Sequence, residues 1–241
     1  MDAGWDGAGA ALVVLVALLW VGLLAAVGRA YGPAGSSPGS RWRAIAWTAA
    51  ASAGWLALTA AVAGAGWLRD YGAQPPPMFR VVVPGIALVA AVVFSGFGRR
   101  LADGLGWGVL IGYQAFRIPL ELVLSALYVS GRLPVQMTFH GANYDILTGI
   151  FAVLVAVLAS QKRIGATGIL VWNIAGLALL VNIVTIAVLS MPGPLRAFPA
   201  EPANTIVFGW PYIWLPAWLV LGALFGHLLV FRKLWRERVR S

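Results

Sequence analysis

Gln114, Arg117 and Glu121 recur at spacings of three and four residues. On a helix this spacing places them on one face, and Ser125 and Tyr128 extend the line. The residues between them are Pro119 and a run of Phe, Ile, Leu, Val and Ala, so one polar stripe runs along an apolar rod. A guanidinium and a carboxyl one turn apart can form a charge-assisted bond, which predicts an Arg117–Glu121 pair. A Glu121 kept in its neutral acid form is the alternative, whereas arginine stays charged in either case. An unpaired charge near mid-bilayer costs roughly 2.5–3.5 kcal/mol on insertion scales, so ionisable residues there are functional candidates by default. Pro119 has no N–H to give the carbonyl of Ala115, which predicts a kink and a freed acceptor beside Gln114 and Arg117. Interrupted helices of this kind line binding sites in transporters.

Downstream of the stripe lie Gln136, Thr138, His140, Asn143 and Asp145. His140 and Asp145 have the types needed for acid–base work or for a metal. The plainer expectation is an ordinary outer loop in which Asn143 or Asp145 caps the next helix. With no HExxH motif, no dense His/Asp set and no cysteine, neither a metal nor a cofactor is expected. Asn173, Asn182 and His227 fall inside apolar runs, where such residues act as hydrogen-bonding glue between helices. Two histidines in different runs do not supply bis-histidine haem pairs, and neither Lys162 nor Lys233 lies mid-run for a retinal Schiff base. There is no Walker A, Rossmann or GxSxG signature.

Seven apolar runs must carry these residues: 8–27, 44–68, 81–97, 105–130, 146–160, 165–191 and 210–231. Turn signals separate them, namely Gly-Pro and Ser-Pro within 31–40, three prolines within 73–78, and Pro192, Pro194, Pro199 and Pro202. The runs do not alternate as barrel strands do, and no internal repeat is evident. Of the 241 residues 61% are hydrophobic and 10% charged, far from the roughly 45–50% and 25% of soluble domains. The expected fold is therefore an all-α polytopic transmembrane bundle of about seven helices, forming a single domain over residues 1–241. With the N-terminus outside, twelve Lys and Arg residues fall at inner ends and four (Arg69, Arg80, Arg132 and Arg196) at outer ends. That bias puts the C-terminus inside. Asp2 and Asp6, with no basic residue among the first ten, argue for a retained first helix rather than a signal peptide. The net charge of +9 sits at run ends, which points to membrane lipids and not to nucleic acid. Trp210, Tyr212 and Trp214 fit an interfacial aromatic belt at the start of the last run.

The stretch QAFRIPLELVLSALYVSGRLPVQMTFHGANYDILTGI and the later PYIWLPAWLVLGALFGHLLVFRKL resemble a pattern in uncharacterised multi-pass bacterial membrane proteins. The resemblance implies a bacterial inner-membrane location and gives weight to Gln114, Arg117, Glu121, Asn143 and Asp145. In that group the position of His140 is often acidic, so this chain departs from the pattern there. Three functions follow. In a small transporter or membrane-embedded binding protein, Arg117 would hold a small anionic or carboxylate-bearing ligand. In a structural or assembly subunit, the stripe would be packing glue and the basic tail would meet lipid or a partner. In a lipid-acting enzyme at the outer face, Glu121, His140 and Asp145 would have to converge. They rank in that order, with catalysis the least expected.

Overall fold

The computed structural model describes residues 7–32 and 38–240. Asp2, Asp6 and residues 33–37 of the first loop lie outside the described residues. The chain is all-helical, with no strand among the described residues. Its helices are α1 (Gly7–Ala30), α2 (Pro38–Gly64), α3 (Phe79–Phe94), α4 (Gly96–Gly104), α5 (Trp107–Gly112), α6 (Arg117–Val129), α7 (Ile146–Ser160), α8 (Ala166–Leu189) and α9 (Leu221–Arg240). Among the described residues five helical spans are long and apolar enough to cross a membrane, and six if the bent α3–α4 pair is counted as one. The short apolar helix α7 completes the correspondence with the seven apolar runs.

The outside of the bundle is apolar. Leu18, Trp47, Leu122 and Val171 are each more than 60% exposed, which in water would be a severe liability and in a bilayer is the normal solvent contact. Within, two apolar cores are stacked along the bundle. One gathers Leu12 and Val16 of α1, Val123 and Leu127 of α6, Leu180 of α8 and Leu219 before α9. The other gathers Val27 of α1, Ile111 of α5, Ala152 of α7, Trp172 of α8 and Val230 of α9. α1, α8 and the last span pass through both cores, so the residues between those levels lie near mid-height.

Three of the runs are not simple rods. The third stops at Phe94, three residues short of expectation, and bends by 65° into α4. Ser95 makes the bend: its backbone is extended, and its hydroxyl accepts from the N–H groups of Phe97 and Gly98 as an N-cap. A Cβ on Gly98 would lie 2.2 Å from the carbonyl oxygen of Val93, so only glycine permits this turn. The fourth run tightens into a 3-10 turn over Tyr113–Phe116, immediately before α6 and Pro119. The irregularity expected of that proline is thus present, placed one turn ahead of it. The seventh run opens as a π-helix over Leu215–Val220, where the carbonyl of Ala217 accepts from the indole of Trp55 at 2.7 Å.

Candidate functional site

Arg117 opens α6 and is 2% exposed. It stands about ten residues into a helical span that runs from Trp107 to Val129, so roughly 15 Å of helix lies on either side of it. Its Nε lies 2.7 Å from Oδ2 of Asp145. Its two terminal nitrogens each lie 3.3 Å from Nε2 of His227. A guanidinium only donates, so Nε2 must be the lone-pair nitrogen and the ring proton must sit on Nδ1. Nδ1 is 2.8 Å from Oδ1 of Asn173 and donates to it, while Nδ2 of Asn173 donates to the backbone carbonyl of His227 at 3.2 Å. His227 is therefore held neutral in one tautomer between Arg117 and Asn173. Gln114 completes the knot by donating to the carbonyl of Ala223 at 3.0 Å. The side-chain oxygen of Gln114 and the second carboxylate oxygen of Asp145 are buried without a hydrogen-bond partner.

Small residues allow this density. A Cβ on Gly176 would meet His227 Cε1 at 2.7 Å and Thr148 Cγ2 at 2.6 Å. A Cβ on Gly226 would meet the amide nitrogen of Gln114 at 2.6 Å. Glycines on α8 and α9 therefore let these helices press against the polar side chains.

The expected Arg117–Glu121 pair does not form. An arginine N-terminal to a glutamate is the less favourable order for such a pair, and both partners find better ones. Glu121 Oε1 accepts from the backbone N–H of Phe139 at 2.7 Å and from Ser125 at 3.4 Å, and Oε2 accepts from Asn143 at 3.2 Å. Asn143 also donates to the carbonyl of Met137, and its oxygen receives the N–H of Asp145. Neither Asn143 nor Asp145 caps α7 through its side chain. Their place is in a larger arrangement that the sequence did not reveal.

Residues 130–145 were expected as a short outer loop and instead fold into the bundle. Gln136 donates to Ser190 at the far end of α8, while Ala142 accepts from Asn182. Those two contacts are eight residues apart on α8, a descent of about 12 Å. The segment ends at Asp145 against mid-span Arg117. α7 therefore starts inside the bundle, and its 15 residues reach about 22 Å, short of a hydrocarbon core of about 30 Å. Irregular backbone at such depth needs internal partners, and Glu121, Asn143 and Asn182 supply them. His140 lies on the exposed side with its ring 6.4 Å from that of Tyr128. It has no hydrogen bond or ion pair with Glu121 or Asp145 among the described residues. No cluster of three metal-ligating side chains occurs among the described residues either.

A helical bundle with a charged knot at mid-span, reached by an irregular segment folded into the bundle and by a 15-residue helix, defines the class. A family model described as Domain of unknown function (DUF8737) matches residues 76–235, and the chain belongs to that family. The matched span holds every residue of the knot and leaves α1 and α2 outside it. No curated protein and no solved structure matches the chain.

Proposed function

We propose that the protein is an integral membrane protein of the transporter or membrane-embedded binding class, with its site at Arg117, Asp145 and His227. The observation that carries this reading is the descent of residues 130–145 to mid-span, which starts α7 beside Arg117. A helix N-terminus inside a membrane protein is a site of positive potential that favours anionic groups. Arg117 adds a full charge there, and the Asp145 carboxylate is the anion it now holds. A small carboxylate-bearing ligand would compete with Asp145 for the same guanidinium. Glu121 and Asn143 pin the segment and so set the geometry. The charge bias supports an N-terminus outside a cell membrane, and the resemblance to bacterial multi-pass proteins supports an inner-membrane setting.

The test is thermal unfolding of the purified full chain in detergent with acetate, succinate or inorganic phosphate. A midpoint raised by at least one anion, and unmoved by it in Arg117→Gln, is the expected result. Equal shifts in the two proteins, or none in either, would overturn the reading. The second reading, a structural subunit, is favoured by the number of hydrogen bonds the knot makes within the chain. It predicts no anion effect.

A further inference from the structure

A groove of about 310 Å³ lies between α2 and α3, remote from Arg117 in sequence and built by different helices. Its volume is at the low end of the roughly 300–1,000 Å³ typical of ligand sites. Trp55, Thr59 and Val62 of α2, Trp67 beyond its end, and Arg80 and Pro84 of α3 line it. The hydroxyl of Thr59 already donates to the carbonyl of Trp55, and the Trp55 indole donates to Ala217. The wall thus offers apolar surface along its length. Its charge is at one end: Arg80 is exposed, lies in the first turn of α3, and its side chain makes no hydrogen bond or ion pair among the described residues. From Trp55 to the end of α2 at Gly64 is nine residues, about 14 Å. That is close to half of a hydrocarbon core of about 30 Å. The groove is therefore one leaflet deep, apolar throughout, and cationic at the level of the headgroups.

We infer that this groove seats one acyl chain of an anionic phospholipid, with the headgroup phosphate on Arg80. Depth, wall and charge match that occupant together: the chain takes the groove from Trp67 down to Trp55, and the phosphate meets the unpaired guanidinium. Trp55 joins the groove wall to the π-helical turn at Ala217, at the start of the span that carries His227.

Native mass spectrometry of the full chain from mixed micelles of phosphatidylglycerol and phosphatidylcholine tests this. One phosphatidylglycerol should be retained about five-fold more tightly than phosphatidylcholine, the contribution of one basic side chain at an anionic surface. Arg80→Gln should abolish the preference while leaving some binding of either lipid. Val62→Trp, which fills the groove, should lower retention of both. Arg80 is exposed and unpaired, so its replacement leaves the fold intact, and unchanged thermal unfolding verifies that. Equal retention of the two lipids by the wild type would overturn the assignment. So would a preference that survives Arg80→Gln, which would place the headgroup at the basic ends of other helices, or retention that survives Val62→Trp.

Discussion

Two regions of this bundle satisfy their buried or half-buried cations in opposite ways. At the α4–α9 junction, Arg232 donates to the carbonyls of Val93 and Ser95 at the end of α3. Lys233 donates to Ala102 at 2.9 Å and Leu105 at 3.0 Å, at the end of α4. Arg236 meets Asp103 through two bonds of 2.7 and 2.8 Å. These cations sit where helix C-termini leave carbonyls unpaired and carry partial negative charge. The tail expected to meet lipid or a partner thus spends three of its basic residues on its own chain, pinning the bent α3–α4 pair. Arg117 faces no helix C-terminus. It meets a carboxylate at a helix start and the lone pair of a neutral histidine, with acceptors nearby still unmet. The first region reads as a clasp. The second holds charge at mid-span in an arrangement that another anion could enter.

The largest expected effect breaks the second region. Arg117→Gln or Asp145→Asn each leaves one buried charge unpaired, and each should destabilise the protein by about 3–5 kcal/mol. The double variant should recover much of that loss, whereas a cycle of Arg117 with Glu121 should show far less coupling. Chemical denaturation in detergent measures both cycles. Strong coupling to Glu121 instead would contradict the observed pairing. Gly176→Ala should cost about 1–3 kcal/mol by overpacking, because the added methyl meets the ring of His227; Gly64→Ala, where nothing lies within 4 Å, is the control. The smallest effect belongs to the clasp. Arg236→Gln breaks a half-exposed pair and should cost less than about 1 kcal/mol. The loss should shrink further as salt rises, while Arg117→Gln, shielded from ions, should be nearly salt-independent. A salt-sensitive Arg117 would erase the distinction between the two regions.

Composition and seven apolar runs settled the helical membrane class without tertiary information, because the bilayer acts on each span by itself. The helix limits followed closely for α1, α7 and α8. Pro119 announced an irregularity in the fourth run, and Asn173 bridges α8 to α9 as its type suggests, whereas Asn182 meets the irregular segment at Ala142. The π-helical start of the last span and the 65° bend after Phe94 were not legible. The first depends on what neighbouring helices offer the displaced carbonyls, and the second on a serine hydroxyl and a glycine contact.

The polar residues themselves were visible in the sequence, because an ionisable group inside an apolar run stands out in any window. Their pairing was not. Helical spacing brought Arg117 to Glu121, since within one element only distance along the chain is known. Tertiary structure brought Arg117 to Asp145 and His227, which lie 28 and 110 positions away. It did so by folding residues 130–145 into the bundle. A buried charge takes whichever counter-charge the packed helices place within reach, and that choice is made across helices, where the one-dimensional pattern carries no distance.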